Sequence, residues 1–162
     1  MKILLYGIRS FGNLAMIVRS VEHFGYKECY VYNDRESERE CVRSDLAAYP
    51  KGLQRRLIRV SGGAMARVRI EVIEDYEVFC KNYKGRLIAT SVCAGARRLD
   101  EVRFRANDCV IFGTEAWGLP RRVVTASDEA VMIPMLGMTQ SLNLAVAVSI
   151  VLYEGFRQKS GN

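Results

Sequence analysis

Residues 110–154, VIFGTEAWGLPRRVVTASDEAVMIPMLGMTQSLNLAVAVSIVLYE, collect polar groups with potential chemical use. An apolar run stops at a glycine–acid turn carrying Gly113, Glu115 and Gly118, and a second apolar run stops at Ile133-Pro134-Met135. A glycine loop then feeds Ser141, Leu142 and Asn143 into a long, nearly all-apolar helix. Two strand ends and one helix start therefore meet at one edge of a sheet. Open α/β sheets bind small ligands at the carboxyl ends of their strands, so this stretch is the expected ligand pocket. Glycine at a turn permits close backbone approach to a ligand, although Gly113 and Gly118 also read as plain turn glycines. Ser141 reads as the N-cap of the last helix, a role compatible with ligand contact. Asn143 has no reason to sit in an apolar helix start unless its amide is used. Metal chemistry is disfavoured: the 5 cysteines form no C-x-x-C and have only His23 for company, which argues against zinc and for thiols buried as small hydrophobes in a reducing compartment.

The elements that must position these groups alternate. Lys2 to Ile8 reads as a buried strand, and Ser10 to Gly25 shows helical spacing at Leu14, Ile17, Val18, Val21 and Phe24, closed by glycine. Glu28 to Tyr32 is a second strand. Residues 36–49 read as a surface helix and Leu57 to Val60 as a strand, followed by the small-residue stretch Ser61-Gly62-Gly63-Ala64. Ile70 to Ile73 is a strand, and Asp75 caps a helix running to Tyr83. Arg86 to Val92 is a buried strand ending in Thr90-Ser91, and Cys109 to Phe112 and Ala130 to Ile133 complete the set. Alternation of this kind predicts an α/β fold with a mainly parallel sheet covered on both faces. No repeat or linker divides the 162 residues, so one domain over 1–162 is expected.

The charge balance is +6, from 24 Lys+Arg against 18 Asp+Glu. A basic excess suits a phosphate-rich partner without identifying one. Residues 51–69 hold Lys51, Arg55, Arg56, Arg59, Arg67 and Arg69 with no acid among them, and further arginine pairs stand at Arg97-Arg98 and Arg121-Arg122. Arginine favours planar phosphate recognition, though any single pair reads equally well as solvated surface charge. No apolar run reaches the roughly 18 residues that span a bilayer, and the first residues suit a strand better than a signal peptide, so a cytoplasmic protein is expected.

Three segments carry a family resemblance. FGTEAWGLP (112–120) and IPMLGMTQSLNLAVAVSIVLYE (133–154) resemble the second and third signature motifs of the SpoU (TrmH-like) branch of the SPOUT superfamily. Asn13 followed six residues later by Arg19 resembles the first. Members of that branch are S-adenosylmethionine-dependent RNA ribose 2′-O-methyltransferases. The resemblance implies a deep C-terminal trefoil knot, which general topology rules would not propose. It also implies a homodimer with the first and last helices packed across the interface, and a last helix apolar on almost every face makes such cover a reasonable demand.

For the site, the resemblance implies that Thr90, Ser91, Gly113, Gly118, Ile133, Met135, Ser141 and Leu142 hold the cofactor. It implies catalytic roles for Arg19, Asn13, Glu115, Ser141 and Asn143. Arg19 would otherwise read as an exposed helix arginine, and Asn13 as a helix cap. A guanidinium stays protonated, so Arg19 suits binding the phosphate beside the target ribose and stabilising the alkoxide better than acting as a base. Glu115 would orient Arg19 or Asn143, or else pair a local arginine. Trp117 stands where relatives often carry a small or polar residue, and Ala145 where Ser is frequent. Core packing is the common fate of a lone Trp, and stacking on a base or the cofactor is the other reading.

The expected function is methyl transfer from S-adenosylmethionine to an RNA ribose 2′-hydroxyl, on tRNA rather than rRNA, without an appended RNA-binding domain. The rivals are a base-modifying knotted methyltransferase and a catalytically inactive RNA-binding protein of the same fold. A nucleotide-binding oxidoreductase lacks support, because no G-x-G-x-x-G follows the first strand.

Overall fold

In a computed structural model, which describes residues 1–33, 42–139 and 141–160, seven strands form one sheet. In chain order the elements are β1 (Lys2–Tyr6), α1 (Phe11–His23), β2 (Glu28–Tyr32), α2 (Lys51–Val60), β3 (Arg69–Ile73) and α3 (Tyr76–Asn82). There follow β4 (Leu87–Thr90), β5 (Arg97–Arg98), β6 (Cys109–Phe112), α4 (Arg121–Ala126), β7 (Glu129–Met132) and α5 (Leu144–Ser160). The strand order is β3-β2-β1-β6-β4-β7-β5. Every pairing between these strands is parallel.

Parallel strands covered on both faces carry apolar side chains in both directions. Ile3 and Leu5 of β1, with Val110 and Phe112 of β6, pack against Leu14 and Val18 of α1, Leu57 of α2 and Val148 of α5. Leu4, Tyr6, Cys109 and Ile111 point the other way, toward Phe79 of α3 and Val123 of α4. The period-2 alternation of single strands thus feeds two separate cores. Burial pushes the Cys29 and Cys109 thiols up to about 12, so neither is a nucleophile at neutral pH. Most of the thiols were expected to be buried; among the described residues Cys29 and Cys109 are, Cys80 is part-buried and Cys93 is exposed.

Several sequence expectations require correction. Leu57–Val60 is not a strand but the last turn of α2. The four-residue apolar reading missed that Leu53, Leu57 and Val60 fall at helical spacing, while Lys51, Arg55, Arg56 and Arg59 face solvent. Pro50 starts this helix, and Gly62 and Gly63, both at positive φ, end it. Of the helix expected over 36–49, residues 36–41 lie outside the described residues, and 42–49 hold only a short 3₁₀ turn at Leu46–Ala48. There the Asp45 carboxylate accepts from the Ala47 N–H, an Asx-type local bond that competes with helix. The strand β5 and the helix α4 were not anticipated. α1 is capped by Ser10, whose hydroxyl accepts from the Asn13 N–H at 3.2 Å, so the alternative reading of Asn13 as the cap passes to Ser10, three residues earlier.

The amino ends of the central strands are tied by one arginine. The Arg86 guanidinium donates to both oxygens of Asp108 (Nε 3.0 Å, Nη2 2.6 Å), to Glu129 at 3.0 Å and to the Arg103 carbonyl at 2.8 Å. Asp108 is 1% exposed and also accepts from the Arg105 N–H at 2.7 Å. Arg97 donates to the other Glu129 oxygen at 2.7 Å. The Arg97-Arg98 pair is thereby taken up internally, with Arg98 on Asp100. This edge is a clamp, and the opposite, carboxyl edge is open.

Candidate active site

At the carboxyl edge, β4, β6 and β7 end together around a cavity of about 400 Å³. That volume lies within the range of small-molecule sites. All eight residues expected to hold a cofactor line it: Thr90, Ser91, Gly113, Gly118, Ile133, Met135, Ser141 and Leu142. Its floor is apolar, with Phe112, Val131 and Leu144, and its walls are turns that present backbone groups. Thr90 adds shape rather than a free hydroxyl, since its Oγ1 donates to the Ile111 carbonyl at 2.9 Å.

The turn after β6 is braced. Thr114 and Gly118 exchange two backbone hydrogen bonds of 3.0 Å, and Gly118 has φ +66°. A Cβ on Gly113 would stand 2.0 Å from the Gly118 carbonyl carbon and 2.3 Å from the Leu119 nitrogen. Gly113 is therefore both the turn glycine and a pocket wall. Gly113→Ala should cost about 1–3 kcal/mol, because backbone must move to admit the methyl. Urea unfolding measures this, and an unchanged midpoint would show that the turn yields freely.

Glu115 organises the polar groups beside the cavity. Its Oε1 accepts from the Ser10 N–H at 3.0 Å and the Asn13 side-chain amide at 3.1 Å, and its Oε2 from the Arg9 N–H at 3.2 Å. Asn13 Oδ1 in turn accepts from the Asn143 amide at 3.2 Å. Asn143 Oδ1 caps α5, accepting from the Ala145 N–H at 2.8 Å. The cap expected at Ser141 thus belongs to Asn143, and Ser141 lines the cavity. Three segments far apart in sequence are joined through Glu115–Asn13–Asn143. Ser10 and Arg9, which sequence reasoning passed over, supply two of the donors; Ser just before the helical periodicity was the available signal.

Desolvation alone would raise the Glu115 carboxyl. The hydrogen bonds from its own N–H, Asn13, Ser10 and Arg9 outweigh that and hold it below the usual carboxylate range. A depressed folded pKa means stability present above the unfolded value and lost as pH falls through the folded one. The urea-midpoint gap between wild type and Glu115→Gln should therefore stay constant above about pH 5 and close only below the ordinary value of about 4.3. A gap that closed on the alkaline side would contradict these contacts.

Arg19 is not in this cavity. It lies two turns along α1, in a groove of about 550 Å³ between α1 and α5, with Met16, Ser20, Val146, Ser149 and Tyr153. No ion pair holds it among the described residues, and its guanidinium passes above Gly62. Of the two partners expected for Glu115, Arg19 is not in contact with it, and Asn143 is reached through Asn13.

A family model, described as the SpoU rRNA Methylase family, matches residues 1–153. The chain belongs to this family. Among its relatives, a tRNA (guanosine(18)-2′-O)-methyltransferase of Thermus thermophilus is 31% identical over 160 residues, 97% of this chain and 74% of that protein. One of the same name from Aquifex aeolicus is 35% identical over 155 residues, covering 94% and 66%. A solved structure described as giving insight into 2-OH methylation of C/U34 on tRNA superposes with a TM-score of 0.81 at 27% identity, covering 99% of this chain and 97% of that one. The SpoU family thus accounts for the sheet and the motif positions. Among the described residues no group of His, Cys, Asp and Glu could hold a metal, and no helix is long and apolar enough to cross a membrane.

Proposed function

We propose that this SpoU-family chain transfers a methyl group from S-adenosylmethionine to a ribose 2′-hydroxyl of RNA, with tRNA as the substrate class. The observation that carries the reading is the single cavity edge that gathers all eight expected cofactor residues beside the Glu115–Asn13–Asn143 chain. The tRNA ribose methyltransferases among its relatives support the same acceptor. The cavity fits the cofactor chemically: an apolar floor, backbone turns, and a glycine with no Cβ in the turn that forms one wall. Thr90, Ser91, Ile133, Met135, Ser141 and Leu142 would hold it, and bound there it supplies an activated methyl that needs positioning more than acid catalysis.

The chain's own groups orient the acceptor. Asn13 and Asn143, fixed by Glu115, present amides at the cavity edge, and Arg19 binds the neighbouring phosphate and stabilises the developing alkoxide. The protein works as a homodimer in which α1 and α5 pack across the interface. Exposed Met16, Val146, Tyr153 and Phe156 on those two helices, 41–52% accessible in one copy, support this. In such a pair the Arg19 groove is closed by the second copy rather than left to water.

The segment from β6 to α5 forms the C-terminal trefoil knot; β4 lying between β6 and β7, with both turns on one cavity, supports it. Residues 1–162 act as one methyltransferase unit. RNA is held on its own basic surface, above all the face of α2 bearing Lys51, Arg55, Arg56 and Arg59, none ion-paired among the described residues. This helix starts beside the active site, where Tyr49 packs edge-on to Phe11.

The test is transfer from tritiated S-adenosylmethionine to unmodified tRNA and rRNA fractions, followed by digestion to nucleosides. Label in 2′-O-methyl nucleosides is expected. Label on a base would favour the base-modifying reading, and cofactor binding without transfer to any RNA would favour an inactive RNA-binding protein.

A further inference from the structure

The core packing expected for Trp117 is wrong: the indole is 84% exposed. It stands on the rim of the cofactor cavity, two residues from Glu115. An exposed indole forfeits a large burial contribution, and on this rim it stands with exposed Val92 and Leu142, so the rim calls for a ligand. Its mounting is rigid. The Trp117 N–H donates to Thr114 Oγ1 at 3.0 Å, inside the turn closed by the Thr114–Gly118 pair. With the backbone held, only the side-chain torsions remain to be ordered when a flat group stacks on the indole.

The rim joins this apolar surface to exposed arginines nearby in the chain, a mix that suits an unpaired base and its phosphate. Arg9 is joined through its backbone to Glu115, and Arg121 is exposed four residues after the indole without an ion pair among the described residues. Aromatic faces flanked by free guanidinium groups are the standard means of gripping unpaired bases and their phosphates.

We propose that Trp117 is a stacking platform for an unpaired nucleobase of the RNA substrate, next to the nucleotide whose ribose is methylated. This rests on the methyltransferase reading for its RNA but not for its readout. Trp117 is the only tryptophan in the chain, so its emission reports the site directly. Titration of the wild-type protein with unmodified tRNA or a single-stranded oligonucleotide should quench the emission and protect it from acrylamide. Duplex RNA and S-adenosylmethionine alone should do neither. Trp117→Ala should raise the KM for tRNA about tenfold to a hundredfold, the range of a lost base stack, with the KM for S-adenosylmethionine unchanged. Trp117→Phe should restore most of it.

Quenching by the cofactor alone would place the indole on the cofactor and overturn the proposal. Acrylamide protection without RNA would mean that a second copy covers the indole, which overturns it equally. So would an unchanged KM in Trp117→Ala or no response to any RNA. Quenching by RNA in a protein that transfers no methyl would leave the stacking intact and defeat only the methyltransferase reading.

Discussion

Arg19→Ala should lower kcat for methyl transfer by about 10²–10³-fold, the loss seen when one donor to a developing oxyanion is removed. Its affinity for S-adenosylmethionine should not change, because Arg19 lines the α1–α5 groove and none of the cofactor cavity. Stability of the folded chain should also change little, because the side chain makes no ion pair among the described residues and substitutions that break no such partner are usually within about 0.5 kcal/mol of neutral. Arg19→Lys should recover only part of the rate, since an ammonium keeps the charge and loses the planar fork. Single-turnover kinetics with calorimetric cofactor binding separate these effects. A variant with wild-type kcat, or one that loses cofactor affinity in step with rate, would remove Arg19 from the role given to it.

Arg86→Ala has the largest effect expected on stability, about 3–5 kcal/mol. The reason is the asymmetry of buried pairs. Asp108 is 1% exposed and Arg86 provides two of its contacts, so truncation leaves a buried carboxylate without its counter-charge. Glu129 loses one partner but keeps Arg97, and the Arg103 carbonyl loses its donor. The double variant Arg86→Ala/Asp108→Asn should be less damaged than the single one, because the stranded charge is gone. Guanidinium unfolding of the set tests this, and a single variant within about 1 kcal/mol of wild type would mean that water enters freely to solvate Asp108. Since this clamp lies at the strand ends away from the cavity, folded Arg86→Ala should still bind the cofactor.

How much of this was legible in the sequence follows from what each signal depends on. Strands such as Leu87–Thr90 and Cys109–Phe112 could be read because burial on both faces leaves an uninterrupted apolar run. The cavity could be read because the second and third motifs supply two of its walls and the end of the apolar run at Thr90-Ser91 the other. The helix at Lys51–Val60 was half misread: its final residues Leu57-Ile58-Arg59-Val60 look extended when separated from Leu53 one turn earlier. The two-residue β5 has no pattern of its own, only arginines whose place is set by Glu129 and Asp100 across space. Local residue types do not reveal such partners.

The site shows the same division. Asn13, Glu115 and Asn143 were expected as chemical groups, but their contacts only in part: the alternative readings of Asn13 and Ser141 as caps passed to Ser10 and Asn143, and of the two partners expected for Glu115 it meets Asn143 only through Asn13 and Arg19 not at all. Spacing along a helix gives the face a residue occupies. It does not tell which of two clefts that face borders, and Arg19 borders the α1–α5 groove. Trp117 departs most from expectation, because the large apolar surface of a lone indole favours burial while the braced turn holds it out in water.

The most direct test of the central claim uses the nucleophile itself. Once the methylated nucleotide in a responsive tRNA is mapped by mass spectrometry, the same tRNA is assembled with a 2′-deoxynucleotide at that position alone. Binding should survive, and label from tritiated S-adenosylmethionine should disappear. Undiminished label on the 2′-deoxy tRNA would mean that the methyl goes to a base, and the ribose 2′-hydroxyl would not be the acceptor.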